Sequence, residues 1–325
     1  MTEAALRYEL YGLSGGNPYR VEPLDPLTHA GHRALLVDVN GYAAATEALG
    51  AYLQARAESG ESAFVVVSGT DFTGRTSVAN HVLDLHRQIR GLDRRLLVAR
   101  VAIENNRAVE WVTAAMVELQ NEIEKADLTL SPKLQEALDA IETIGATSGE
   151  TIYPSRYRTL ARRLRGELSG HPSGEYGFAA VFEGLRQADL IGKMQKVFED
   201  SRSIAVFTHS AYKHANTPML DELRSLGVHI VSLRSLDGPQ IRCVAEARWK
   251  GASPLPSPFP PDSLEAVWCE PAPIKSVVKM LGAWIDFRLR TSSEQGAWPH
   301  NTDLEIGQRF MTATLDMLKT MGGAS

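Results

Sequence analysis

Phe64-Val65-Val66-Val67-Ser68-Gly69-Thr70-Asp71-Phe72-Thr73-Gly74-Arg75-Thr76-Ser77 is the stretch that decides how the chain folds. An apolar, β-branched run ends in a glycine loop, and the loop passes directly into Val78, Val82, Leu83 and Leu85, spaced as on one face of a helix. Strand, loop and helix in that order are the setting a phosphate-binding loop requires. The spacing Gly69-x4-Gly74 followed by Arg75-Thr76 is that of a Walker A motif, with arginine where the motif has lysine.

Each part of the pattern has a physical reason. Glycines let backbone amides curl around phosphate oxygens, and the start of the helix adds partial positive charge to those amides. The motif's lysine is a compact charge that reaches the outer phosphates, and the hydroxyl after it helps to hold Mg²⁺. Arg75 keeps the charge but is longer, planar and fork-shaped. Nucleotide binding is therefore expected to survive this change more readily than hydrolysis. A glycine-containing turn with no ligand is the plainer alternative.

The rest of the chain sets bounds. At 325 residues with 44% hydrophobic content there is material for one large or two ordinary domains. A net charge of −5 and a pI near 6.0 argue against a protein that coats nucleic acid, while leaving room for a local basic face. Cys243 and Cys269 have no metal-ligand spacing and allow at most one disulfide, which points to a reducing compartment. No apolar run reaches the ~18 residues of a membrane span, and Met1 to Ala5 lack the start of a signal peptide, so a soluble, cytoplasmic protein with no membrane partner is expected.

Ahead of the loop, residues 1–33 are broken by Gly12, Gly15, Gly16, Pro18, Pro23 and Pro26, and a helix is expected from Tyr42 to Ala57. After it, strands are expected at Leu96–Ile103, which reads as buried on both faces, at Phe178–Phe182, at Ser203–Phe207 and at Val228–Leu233, with helices between them. Arg156, Arg158, Arg162, Arg163 and Arg165 fall within one of those helices and read as a solvated face.

The strand Phe178–Phe182 closes on Glu183, as a Walker B strand closes on acid. Phe182 stands at the aspartate position, leaving Glu183 as the only carboxylate for metal or water. Ser203–Phe207 closes on Thr208-His209-Ser210, where polar residues of a doubly wound sheet face the ligand crevice. Beyond Leu236 strands stop. Asp237 can cap a helix to Lys250, a loop with five prolines follows, and three helices are expected at 262–268, 273–289 and 302–321. The shift marks a P-loop domain over 1–236 and a smaller helical domain over 237–325.

Together these parts resemble the AAA+ family of P-loop ATPases, in the branch that holds ExeA-type secretion, TniB-type transposition and origin-recognition ATPases. The resemblance rests on Tyr11-Gly12-Leu13 and Asn17-Pro18-Tyr19, the phosphate loop, Phe178 to Glu183, Phe207-Thr208-His209 and the helical tail. It implies an α/β fold in which a five-stranded parallel sheet flanked by helices is followed by a small all-helical lid.

It further implies ATP and Mg²⁺ as cofactors. Gly69, Thr73, Gly74, Arg75, Thr76 and Ser77 would cradle the phosphates, Tyr19 would lie in an arm over the base, and Lys275 would be a lid residue that touches nucleotide. Thr76 and Glu183 would serve the metal, Thr208 would act as sensor, and Arg224 would be an arginine finger toward a neighbouring subunit. The function expected is a nucleotide-binding switch or assembly component with slow or absent hydrolysis, in a homo-oligomer or with a partner protein. An active DNA-associated ATPase and a nucleotide-free scaffold are the alternatives.

Overall fold

The structure, a computed structural model, describes residues 7–39, 41–92, 95–102, 107–147, 154–199, 202–211, 217–294 and 305–322. Three expected features fall at least partly outside them: the N-terminal residues Met1 to Ala5, the strand end at Ile103 and the last helix's start at Thr302.

The expected strand before the phosphate loop is β1, Ala63–Gly69, buried along its whole length. It is preceded by α1 (Tyr42–Ser59) and runs through the loop into α2 (Arg75–Ile89). Then follow β2 (Leu96–Ala102), the helices α3 (Ala108–Lys125), α4 (Pro132–Thr147) and α5 (Pro154–Ser169), and β3 (Gly177–Glu183). The pairs α6 (Ala188–Phe198) with β4 (Ile204–Ser210) and α7 (Thr217–Ser225) with β5 (His229–Ser232) complete the sheet.

All pairings are parallel, and the strand order is β2-β3-β4-β1-β5. β1 thus lies between β4 and β5, away from its sequence neighbour β2. The crossover from β1 runs to one edge of the sheet, at β2, and the crossover from β4 passes β1 to reach the other, at β5, so the winding reverses beside β1 and opens a crevice at its carboxyl end. Register places Gly69 beside Ser210 and Ser68 beside Ser232, so the loop leaves the sheet where β4 and β5 also end.

The sheet's two faces carry different cores. Val65, Val67, Ala179, Val181 and Val206 pack with Leu49 and Leu53 of α1 and Val78, Val82 and Leu83 of α2. Phe64, Val66, Ala180, Phe182 and Phe207 pack with Trp111 of α3, Leu164 of α5 and Met194 of α6. β2 departs from the expected doubly buried strand: Arg100 and Ala102 are exposed, and its burial alternates. It is an edge strand, and α3 supplies most of its helical cover.

The tail is helical, as expected: α8 (Gly238–Lys250), α9 (Pro261–Val267), α10 (Ile274–Glu294) and α11 (Gln308–Gly322). Asp237 caps α8 in a full capping box, accepting from Gln240 N at 3.0 Å while its own N–H donates to the Gln240 side chain at 3.0 Å. Such a cap contributes about 1 kcal/mol. Trp249, Phe259, Val277, Leu281 and Trp284 form this region's core, and Tyr11, Leu13 and Tyr19 from the N-terminal arm are packed into it. The arm therefore begins on the C-terminal helices before reaching the sheet. Among the described residues, no helix is long and apolar enough to cross a membrane.

Candidate functional site

A cavity of about 490 Å³ opens where β1 and β5 end. Its floor is the loop Asp71–Thr76 with the first turn of α2, its walls are the arm at Arg20–Leu24 and Leu35–Val39, and its cover comes from Val244 and Arg248 of α8 with Ile274, Lys275 and Val278 of α10.

The loop is built for close approach. A side chain at Gly69 would place its Cβ 2.5 Å from Thr73 Oγ1 and 3.0 Å from Leu233, so only glycine lets β1 turn there. Gly74 has φ +90°, and a Cβ on it would stand 3.2 Å from Ile274. Thr73 donates its hydroxyl to the Thr70 carbonyl at 2.7 Å, which tightens the turn. Phe72 also takes positive φ, +67°, at a cost of about 1–2 kcal/mol for a residue with a side chain. What holds it is the first turn of α10. Lys275 N donates to the Phe72 carbonyl at 3.1 Å, and the Lys275 ammonium stands 5.0 Å from the Phe72 ring centre.

Arg75 does not reach freely into the cavity. Its guanidinium donates to Asp71 Oδ1 at 2.8 Å, and the same oxygen accepts from Ser210 Oγ at 2.9 Å. Thr76 lines the floor. Ser77 lines it too, and its hydroxyl also accepts the Leu24 N–H at 3.0 Å, while Asn80 donates to the Leu24 carbonyl at 2.9 Å. These two contacts fasten the arm along α2.

One turn further on, Asp84, buried within α2, accepts both arms of the Arg33 guanidinium, at 2.6 and 2.7 Å, and a further bond from Arg87 at 2.8 Å. Burial alone would raise the Asp84 carboxyl, but the hydrogen bond and charge of Arg33, with those of Arg87, hold it below its ordinary value.

Of the residues singled out from sequence, Gly74, Thr73, Arg75, Thr76, Ser77 and Lys275 line the cavity. Gly69 shapes its floor from below. Lys275 stands in the first turn of α10, the third helix of the tail. Tyr19 does not line the cavity: it is buried, its hydroxyl donates to the Ala245 carbonyl at 3.0 Å, and its ring packs on Phe259. The segment just after it, Arg20–Leu24, is the part of the arm that lines the cavity.

Thr208 is buried in β4, in register with Glu183 on one side and Val67 on the other. His209 is buried, its Nδ1 2.8 Å from the Leu185 carbonyl. Arg224 is an exposed residue in the last turn of α7, paired with Asp221 at 2.5 Å, and lies outside the cavity.

The end of β3 differs from what residue spacing suggested. Phe182 faces α3, its ring nearly parallel to those of Trp111, at 5.4 Å between ring centres, and Phe207, at 5.0 Å, which also contact each other at 6.4 Å. Val181, the residue before it, packs against the α2 side. Strand alternation therefore returns Glu183 to the α2 face, the side on which the loop's helix lies. Phe182 has not displaced an acid facing the loop. The acid on that face is Glu183, exposed and outside the cavity lining.

Arg248 is the residue that sequence reading left without a role. It is 7% exposed, lines the cavity, and donates to the Arg20 carbonyl at 2.8 Å, yet its Nε is buried without a partner. Burial holds its pKa below the usual arginine value. An orphaned buried donor costs roughly 1–3 kcal/mol. The signal was present in the sequence, since Arg248 continues the stripe Ile241, Val244, Ala245, where an apolar residue is the rule.

The cavity accordingly offers backbone amides at a helix start, a hydroxyl at Thr76, cationic groups at Arg75, Lys275 and Arg248, and apolar walls from Leu36, Val39 and Val278. That donor set suits an elongated, anionic ligand with one apolar end. Among the described residues, no group of three His, Cys, Asp or Glu side chains forms a metal site of its own.

No family model and no curated protein matches the chain. Solved structures do. A chain of Drosophila ORC bound to DNA superimposes with a TM-score of 0.50 at 9% identity, over 98% of this chain and 69% of that one. The Aeropyrum pernix ORC2 protein superimposes with a TM-score of 0.51 at 11% identity, both in its ADPNP–ADP complexes, over 82% of this chain and 66% of that one, and in its ADP form, over 86% and 74%. At such identities the likeness is one of fold, and the fold is that of the origin-recognition proteins, the AAA+-type branch toward which the sequence motifs pointed.

Proposed function

We propose that the protein is a nucleotide-binding switch or assembly component that holds ATP with Mg²⁺ and hydrolyses it slowly or not at all. The observation that carries this reading is the cavity itself: a glycine loop at a helix start, closed over by a helical tail that hydrogen-bonds to the loop through Lys275 and Phe72. The Aeropyrum pernix neighbour with ADPNP and ADP lends support through fold.

In this reading residues 1–236 are the nucleotide-binding domain and 237–325 the lid. The amides of Thr73, Gly74 and Arg75 hold the phosphates, and Thr76, with Glu183 from across the crevice, serves the metal. Bound Mg²⁺ would supply charge neutralisation between the outer phosphates. Thr208 is the sensor, Lys275 the lid contact, and Arg224, exposed on α7, the group offered to a neighbouring subunit. The arm segment Arg20–Leu24 and Arg248 enclose the far end of the ligand.

Slow turnover follows from the charges. Arg75 is already paired within its own loop, and a single carboxylate stands where hydrolysis ordinarily uses two. Calorimetric titration with ATP and Mg²⁺ tests binding. A ligand held only by the native state adds about 2.7 kcal/mol at a concentration of roughly 100 Kd, so the melting temperature must rise. No heat and no shift at millimolar nucleotide would leave the scaffold reading. Arg75→Lys is expected to raise hydrolysis, and turnover that persists undiminished in Glu183→Gln would remove that residue from the metal.

A DNA-associated ATPase is the second reading. The Drosophila neighbour bound to DNA and the exposed Arg156 and Arg163 on α5 favour it. It requires turnover stimulated by DNA, and an affinity for DNA that falls steeply with salt.

A further inference from the structure

Asp71 stands inside the phosphate loop, five residues before Thr76, and the reading above uses it only as the partner that holds Arg75. A carboxylate there is a liability for a phosphate site, because the loop otherwise gathers positive charge. Asp71 lines the cavity, and its Oδ1 accepts from two groups at once, the Arg75 guanidinium at 2.8 Å and the Ser210 hydroxyl at 2.9 Å. Ser210 closes β4 in register with Gly69, so the carboxylate bridges the loop to the neighbouring strand at the mouth of the crevice.

The consequence is a matter of charge and place. In a loop of this spacing the backbone amides cradle the inner phosphates, and the basic residue before the hydroxyl reaches the outer two. Arg75 is that residue, and it is held by Asp71. The loop's one cation and one anion cancel. A ligand ending at its second phosphate is served by amides and the helix start, which the carboxylate does not occupy. A third phosphate must either take Arg75 from Asp71 or lie beside the carboxylate, and like charges at that separation repel.

We infer that Asp71 sets how many phosphates the site accepts, making it a specificity-determining residue that favours nucleoside diphosphate over triphosphate. The inference rests on the nucleotide-binding reading above. That the cavity is a ligand site has independent support in Arg248, a cationic residue of α8 that is buried and yet lines the same cavity.

The test is titration of the full chain with Mg-ADP and Mg-ATP, for the wild type and for Asp71→Asn, which keeps size and hydrogen bonding while removing the charge. The wild type is expected to bind ADP about tenfold more tightly than ATP. Asp71→Asn is expected to tighten ATP about tenfold and to move ADP by less than about threefold. The wild-type gap should also narrow as salt is raised from about 0.05 to about 0.5 M, because screening weakens the repulsion.

Equal wild-type affinities would overturn the inference and leave nucleotide binding intact, and so would an Asp71→Asn variant that shifts both ligands alike. Absence of binding by either ligand to either protein would remove the nucleotide-binding reading and this one with it. Because Asp71 is an exposed surface residue, the variant's melting temperature should match the wild type's, and that measurement accompanies the titration.

Discussion

The phosphate loop and the carboxyl end of β3 lie on the same rim of one sheet and have been treated differently. The loop is open and polar: Gly74 holds a left-handed conformation, Gly69 leaves no room for a Cβ, and its charged side chains pair with each other at the surface. The end of β3 is closed and aromatic. Phe182 lies nearly parallel to both Trp111 and Phe207, with interplanar angles of 18° to each, in a cluster of three mutually contacting rings, and a single exposed acid, Glu183, follows it. The first geometry suits holding an anion. The second contributes rigidity, and leaves one carboxylate where hydrolysis would call for two. A fold that needs both regions for turnover needs only the first to bind.

Breaking the closed region should cost most. Phe182→Asp would bury a charge in the aromatic stack and is expected to lower unfolding free energy by more than about 4 kcal/mol in urea titrations. Phe182→Leu, which keeps the site apolar, should cost about 1–2 kcal/mol.

Acid should separate the two regions next. His86, buried on the loop's own helix, has its pKa pushed down to about 3 by burial and then by Arg90, whereas the buried β3 residues 178–182 carry no titratable group. Because the unfolded chain takes up a proton near pH 6.5 and the folded chain does not until about pH 3, stability contributed by His86 is complete above pH 6.5 and falls as pH drops through that window. The expected loss is about 2 kcal/mol between pH 6.5 and 5, read from urea midpoints, and His86→Leu should flatten the dependence.

Within the loop, Gly74→Ala forces a side chain into φ +90° and against Ile274. A cost of about 1–2 kcal/mol in stability is expected, together with at least about a tenfold loss of nucleotide affinity by calorimetry. The smallest effect belongs to the exposed acid: Glu183→Gln should leave nucleotide affinity within about threefold, since Glu183 lies outside the cavity lining.

Much of this was readable locally. The run from Phe64 to Ser77 encodes its strand, turn and helix within fourteen residues, and Asp237 with Gln240 announces a helix start. What stayed hidden depends on partners far along the chain. Tyr19 was expected over a base because it sits in an arm, yet its hydroxyl is bound to Ala245. No local pattern could reveal that pairing. Spacing counted Phe182 as the residue in place of an acid, while the face it occupies is set by strand parity and by Trp111 across the core. Arg33 reads as one more loop cation, and only packing brings it to the buried Asp84. The apolar run of β2 gave no sign that it would end at the sheet's edge.

Phe72 and Lys275 join the floor of the cavity to the first turn of α10, which continues for 21 residues. At 1.5 Å per residue that helix is about 30 Å long. The loop's strained residue is thus tied to one end of a helix whose Leu281, Trp284, Ile285 and Leu289 belong to the C-terminal core, so a movement of the loop cannot be separated from the packing of the tail.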